Sequence, residues 1–238
     1  MAASLQLGDL AVEVVHKDIK NVHLSVHPPT GRVRIAAPRH LSVDAIRAFA
    51  IGKLGWLRRQ QKKLEEQDRE TPREYLDRES HYVWGRRCLL AVVERDAPPC
   101  AEWRHHRLTL SVRPGTAATR RAEVLEAWYR EQLRAATQPV MAQWERRLGV
   151  RVERLFVQRM KTRWGSCNPA ARTIRLNTDL AKKPRECLEY ILVHELVHLL
   201  EPTHNARVVA LIDQSLPGWP HRRELLNRLP VRHEDWRY

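Results

Sequence analysis

Residues 189–205 read EYILVHELVHLLEPTHN. The run ECLEYILVHELVHLL predicts a helix over 186–200 that Pro202 brings to an end. Within it stands His194-Glu195-x-x-His198. Positions four apart share one helical face, so both imidazoles can reach a single ion without distorting the backbone. Zinc suits nitrogen ligands in tetrahedral geometry. Glu195 projects about a quarter turn away, where it can meet a metal-held water without taking a ligand position. Two histidines satisfied within a core are the alternative. Ile191, Leu192, Val193, Leu196, Val197, Leu199 and Leu200 make the helix apolar on most sides. Burying two imidazoles and a carboxylate in such a setting costs several kcal/mol, on the order of 2–7 per unpaired group. A metal compensates all three groups at once.

A catalytic zinc keeps three protein ligands and one open position. His204 follows His198 by six residues, the spacing of the extended H-E-x-x-H-x-x-x-x-x-H pattern. Glu201 occupies the place where that pattern has glycine, and the Pro202-Thr203 turn can bring the chain back in its stead. Glu201 is the rival ligand, seven residues after His194. Pro202 disfavours helical geometry just before it, which favours His204. Glu224 is a weaker alternative.

Outward from this helix, the chain alternates strand and helix patterns. LAVEVV and VHLSVHPPTGRVRIAAP, within 10–37, predict strands around a Pro-Pro-Thr-Gly turn. SVDAIRAFAIGKLGWLRRQQKKLEEQ predicts one long helix from Ser42 or Asp44, with Ile46, Phe49, Ala50, Leu54, Leu57 and Leu64 on its apolar face. HYVWGRRCLLAVVE and RLTLSV predict further strands, with APPCAEWRHH as a loop between them. A second long helix is expected over 119–148, with Pro139 inside it and Gly149 at its C-terminus. VRVERLFVQRM alternates as a strand, Asn168-Pro169 marks a turn, and Ile174 and Leu176 belong to the next strand. Short helices over 205–215 and 221–228 close the pattern. No internal repeat is visible. The expected organisation is a β-rich N-terminal region with one long helix over 1–117, then a metal-binding domain over 118–238.

The chain has 238 residues, 43% of them apolar and 29% charged, enough for a substantial core. No run approaches the ~20 apolar residues of a membrane span, and the N-terminus lacks a signal-peptide pattern, so a cytoplasmic protein with no membrane partner is expected. Cys88, Cys100, Cys167 and Cys187 form no C-x-x-C pair and read as reduced. The net charge is +14, from 42 Lys+Arg against 28 Asp+Glu. That excess permits weak, non-specific nucleic-acid binding. The basic residues look dispersed, with no block of five or six like charges.

Three segments together carry a family resemblance: KTRWGSC at 161–167 with IRLN at 174–177, HELVH at 194–198 with His204, and WPHRRELLN at 219–227. With the Ala37-Pro38 to Trp56 lead-in and the Trp128-Tyr129 helix, the chain resembles the YgjP-like zinc metallopeptidases, relatives of SprT-like and other zincin proteins. It departs from their pattern at Val208 and Val209, where an aromatic pair is frequent, and at Asn168, where a small Ser is common. The resemblance implies an α+β fold with a zincin-like metallopeptidase core, a mixed sheet packed on the HExxH helix with its edge strand bordering the cleft. It implies one Zn2+ per chain, a protein or peptide substrate, and Arg163, Trp164 and Asn177 as substrate-binding candidates. Packing of Trp164 on the helix and capping by Asn177 are their structural alternatives. Cys167 is near the expected site but unneeded as a ligand.

The chemistry these parts predict is hydrolysis of a peptide bond, with water activated by the metal and Glu195 as general base. Arg163 and His221 are candidates to stabilise the oxyanion. Two rivals stand beside it: a metal-containing nucleic-acid-associated protein without turnover, and a SprT-like protease acting on DNA-bound proteins.

Overall fold

The structure, a computed structural model, describes residues 2–27, 31–66 and 70–230. Pro28, Pro29 and Thr30 of the expected first turn lie outside the described residues. The chain is α+β, with three mixed sheets and six α-helices among the described residues. None of these helices is long and apolar enough to cross a membrane.

Two compact units divide the chain, one of Met1–Glu70 with Pro230–Tyr238 and one of Thr71–Leu229. The first unit holds β1 (Ala2–Leu7), β2 (Leu10–Lys17), β3 (His23–His27) and β4 (Arg32–Pro38) in the order β1-β2-β4-β3. Alternation places Val12, Val14, Val33 and Ile35 on one face, where they are buried against Ile46, Ala50 and Leu57. The last three come from two helices, α1 (Val43–Ile51) and α2 (Leu54–Glu66), where one was expected. The side chain of Ser42 caps α1, accepting from the Ala45 N–H at 3.3 Å. The break falls at Gly52-Lys53, next to the exposed Ile51. The apolar spacing continues across it, which is why the sequence reads as one helix.

The second unit opens with β5 (Ser80–Val83), β6 (Arg86–Glu94), β7 (Cys100–Arg104) and β8 (Arg107–Val112), ordered β5-β6-β8-β7. Strand β7 falls where a loop was expected. Ala101 and Trp103 turn toward the core while Cys100, Glu102 and Arg104 face solvent, a strand alternation that the flanking Pro98-Pro99 and His105-His106 obscure. Helix α3 (Ala118–Leu148) follows and runs on through Pro139. It ends at Gly149, whose φ of 64° is the left-handed conformation that glycine adopts without strain. Next comes a three-stranded sheet ordered β10-β11-β9, from β9 (Arg154–Gln158), β10 (Gly165–Asn168) and β11 (Thr173–Asn177). β9 and β11 are parallel and β10 is an antiparallel edge strand. A 3-10 turn (Thr178–Lys182) leads into α4 (Arg185–Val197), and α5 (Ala206–Ser215) and α6 (Trp219–Arg228) complete the unit.

The boundary between the compact units falls after residue 70. Val83, Leu90, Leu108 and Leu110 of the second four-stranded sheet share one core with Leu125, Tyr129 and Leu133 of α3 and with Leu192, Val193 and Leu196 of α4. Each unit has its own hydrophobic cluster. Both begin with the same four-strand topology, two antiparallel pairs joined by a central parallel pair. The repetition is topological, and the sequence shows no matching repeat.

Candidate metal centre

Helix α4 lies inside the second unit, flanked by α3, α5, α6 and strands β10 and β11. Its apolar residues fill the core, so the polar residues among them are held where the backbone puts them. Glu189 anchors the helix on two sides: Trp144 Nε1 of α3 donates to its Oε1 at 3.1 Å, and Arg222 Nη1 of α6 donates to its Oε2 at 2.5 Å. The helix stops at Val197, three residues before the expected end, with His198 as its C-cap. Leu199 N–H bonds to Leu196 O and Leu200 N–H to Val197 O, a tightening of the last turn. The chain then turns through Pro202 and returns, and the Asn205 side chain caps α5 by accepting from Arg207 N–H and Val208 N–H.

This turn brings His204 back onto the face that carries His194 and His198. The three Nε2 atoms form a nearly equilateral triangle: 3.3 Å from His194 to His204, 3.3 Å from His194 to His198 and 3.2 Å from His198 to His204. Of three imidazole nitrogens converging so closely at least two must be alike, both lone pairs or both N–H groups, so at least one edge of the triangle is repulsive unless a cation lies between them. Tetrahedral zinc with Zn–N bonds of about 2.0–2.1 Å sets its ligand nitrogens about 3.3–3.4 Å apart. The triangle fits that requirement on all three edges. His198 Nδ1 donates to the Glu201 carbonyl at 3.0 Å, because a carbonyl can only accept. This hydrogen bond fixes the tautomer and leaves Nε2 with its lone pair facing the other two rings.

Electrostatics favour the neutral form of His194 and His204. Burial, and then the neighbouring His198 and His204, bring the His194 pKa down to about 4. The His204 pKa is lowered by the same kinds of cause, with Arg163 contributing. Neutral imidazole is the form that binds a metal. Glu195 is 6% exposed, and burial raises its pKa to about 7 against an opposing influence from Arg163.

Glu201, the rival ligand, is turned away. Its Oε1 accepts from Thr203 Oγ1 at 2.7 Å and from Thr203 N–H at 3.3 Å, and it stands outside the histidine cluster. Glu224 is exposed and pairs with Arg228 at 3.8 Å. Cys167 is half-buried and outside the cluster, its thiol pushed up to about 11 by burial and by the Glu195 charge.

The substrate-binding candidates fall in different places. Arg163 is exposed and near enough to influence both Glu195 and His204. Trp164 is half-buried, packs on the core and has Lys183 Nζ 5.8 Å from its ring centre. Asn177 is 5% exposed, and its amide is committed to holding the β9–β10 connection. Its Nδ2 donates to Met160 O at 2.8 Å and to Arg163 O at 2.9 Å, and its Oδ1 accepts from Asp179 N–H at 3.2 Å. His221 is exposed on α6 and outside the cluster.

Two features escaped the sequence reading. A Cβ at Gly165, on edge strand β10, would lie 2.6 Å from Glu195 Oε1, 2.8 Å from Cγ and 3.0 Å from Cδ. Beside His194, Tyr190 stacks on Trp219 with ring centres 6.1 Å apart and planes 14° apart, and the Tyr190 ring centre is 6.2 Å from that of His194. Tyr190 precedes His194 by four residues and so shares its helical face, a signal the sequence did carry. The Gly165 contact joins residues thirty positions apart, and no spacing rule reports it.

A buried helix with converging imidazoles and an adjacent shielded carboxylate has the parts of a metal-dependent hydrolase. The chain belongs to the YgjP-like family: the family model of the YgjP-like metallopeptidase domain matches residues 20–229. No curated protein matches the chain. Among solved structures, the crystal structure of the metallopeptidase zymogen of Pyrococcus abyssi abylysin is similar over 38% of this chain and 89% of that one, with 22% identity and a TM-score of 0.34.

Proposed function

We propose that this metallopeptidase-family chain is a zinc-dependent peptidase. His194, His198 and His204 would hold one Zn2+ per chain through Nε2, and Glu195 would act as general base. The observation that carries this reading is the triangle of Nε2 atoms with edges of 3.2–3.3 Å, matched to tetrahedral zinc. A zincin-like core, with the β9–β11 sheet against the HExxH helix, is part of the same proposal.

Zinc held there supplies a Lewis acid and draws the pKa of a water toward ~7. Glu195 accepts the proton of the attacking water on a carboxylate oxygen and returns it to the leaving amine nitrogen. Its burial suits the task, since in the metal-free site burial raises the carboxyl above its usual range, the direction that makes it a stronger base. Arg163 offers a cation to the carbonyl oxygen of the peptide as that oxygen gains charge. Asn177 acts one step back, holding the connection from which Arg163 projects.

Metal analysis and casein hydrolysis by the purified protein test this. The wild type should carry about one zinc and cleave casein. His194→Ala, His198→Ala and His204→Ala should lose most of the zinc, while Glu201→Ala keeps it. Glu195→Gln should keep the zinc and lose roughly a hundredfold or more in hydrolysis. Zinc lost on Glu201→Ala but kept on His204→Ala would replace the third ligand. A fully loaded wild type inert toward casein and toward a random peptide pool would reject the peptidase reading.

A further inference from the structure

The charge that looks dispersed along the chain is concentrated in two segments, 32–63 and 146–177, each with nine Arg or Lys against one acidic residue. Residues 146–177 contain nine Arg or Lys against one acidic residue, Glu153, a net +8 out of the chain's +14. This segment forms the end of α3, the three-stranded sheet and its connections.

Strand parity sorts the side chains. Val157, Ile174 and Leu176 point into the core. Arg154, Phe156 and Gln158 of β9 therefore face outward, beside Arg175 of β11, which pairs with Phe156. Arg151 and Arg172 meet at one end of the strands, where Arg172 Nε donates to Arg151 O at 2.9 Å. Arg159, Lys161 and Arg163 lie in the connection at the other end. Among the described residues, Arg151, Arg154, Arg172 and Arg175 form no ion pair with a carboxylate. In the middle of this cationic face, the Phe156 ring is 37% exposed, with the Arg175 guanidinium carbon 5.3 Å from its centre.

We propose that the outward face of the β9–β11 sheet is a docking surface for single-stranded nucleic acid. Phe156 is its stacking platform, and Arg151, Arg154, Arg172 and Arg175 are its phosphate-binding cations. Charge complementarity selects a polyanion. The ring selects the kind: a planar side chain flush with a sheet can take an unpaired base, whereas the bases of a duplex are already stacked on one another. A five-residue strand spans about 16 Å. A few extended nucleotides along it would place phosphates against Arg151, Arg154 and Arg172 at one end and against Arg175 beside the base held over Phe156. A membrane surface fits less well, because a single exposed ring offers little apolar area to bury. The inference is independent of the peptidase reading, since it uses neither the metal nor Glu195.

Fluorescence anisotropy of the whole chain as purified, with labelled 20-nucleotide oligo(dT) and oligo(U), tests it, with a 20-base-pair duplex and anionic vesicles alongside. Both single strands should bind more tightly than the duplex, with affinity falling steeply as salt rises. Arg154→Ala with Arg172→Ala should lower the salt slope by about 0.7 for each phosphate left without its arginine. Arg47→Ala with Arg59→Ala, which removes the same charge from the first unit, should leave the slope unchanged. Phe156→Leu should weaken single-strand binding by roughly five- to a hundredfold at every salt concentration, and Phe156→Tyr should restore it. Circular dichroism checks that each variant is folded. Duplex binding equal to single-strand binding, equal effects of the two arginine pairs, or a folded Phe156→Leu protein with wild-type affinity would each overturn the proposal. So would binding to vesicles without binding to oligonucleotides.

Discussion

A hydrogen in place of a side chain at position 165 is what makes room for the Glu195 carboxylate. An added Cβ would overlap the Cγ, Cδ and Oε1 of that one residue, so the carboxylate must move while the strand stays. Gly165→Ala should therefore retain zinc and fold, yet lose roughly a hundredfold in casein hydrolysis, the scale of a misplacement of about 1 Å. In a Glu195→Gln background the same change should add little. Full activity in Gly165→Ala, or loss of its zinc, would remove this role. Burial of the same carboxyl sets a pH dependence in the metal-free protein. The folded-state pKa of Glu195, about 7, exceeds its ordinary 4.5. Burial therefore carries no penalty below 4.5, and stability is lost as pH rises through 7, by about 3 kcal/mol at most. For His194 the sign is opposite: its folded pKa of about 4 lies below 6.5, so stability is lost as pH falls from 6.5 toward 4. Chelated Glu195→Gln should outlast chelated wild type in thermal melts at pH 8 and match it at pH 4.5. An equal difference at both pH values would assign the effect to something other than this ionisation. Of the candidate site, spacing on one helix pointed to His194, Glu195 and His198, and the six-residue spacing with the Pro202-Thr203 turn pointed to His204. Gly165 and the clamping role of Asn177 depend on contacts across the fold, and neither could be read along the chain.

At the level of elements, α4 is oriented by Glu189, whose carboxylate joins α3 through Trp144 and α6 through Arg222. Trp144 is 2% exposed. Glu189→Ala would leave its indole N–H without its acceptor inside the core, at a cost of about 1–3 kcal/mol. The melting temperature should fall by about 2–4 °C for each kcal/mol lost. Glu189→Gln, which keeps an acceptor oxygen, should fall less. The loss should appear with and without metal, because Glu189 is no ligand, and an unchanged melting temperature would deny it the anchoring role. Helix α3 was legible in the sequence because burial on one face imposes an apolar period, and α4 because its run is apolar on most sides. Strand β7 was hidden by the prolines and histidines at its ends. The α1–α2 break was hidden because Ile46, Ala50 and Leu57 bury on one side of both helices. Edge strand β1 escaped because the alternation of Ser4, Leu5, Gln6 and Leu7 runs over only four residues, too few to stand out along the chain.

For the whole molecule, the two separate cores make a thermodynamic statement. Leu5, Val12, Ile35 and Leu57 belong to one cluster, and Leu108, Leu133, Ile174 and Leu192 to the other. A core is the unit of cooperative unfolding in a small domain. Calorimetry of the full chain should therefore resolve two transitions, the larger from Thr71–Leu229 because more of the chain takes part in it. All three histidines of the metal cluster lie in that second unit. A metal that binds the folded unit alone stabilises it by RT ln(1 + [L]/Kd), about 4 kcal/mol at a thousandfold excess over Kd. Adding zinc to the chelated protein should raise the larger transition and leave the smaller one where it was. His198→Ala should abolish the shift without moving the smaller transition. If both transitions climb together with zinc, or if a single transition accounts for all the heat, the two cores do not unfold as independent units.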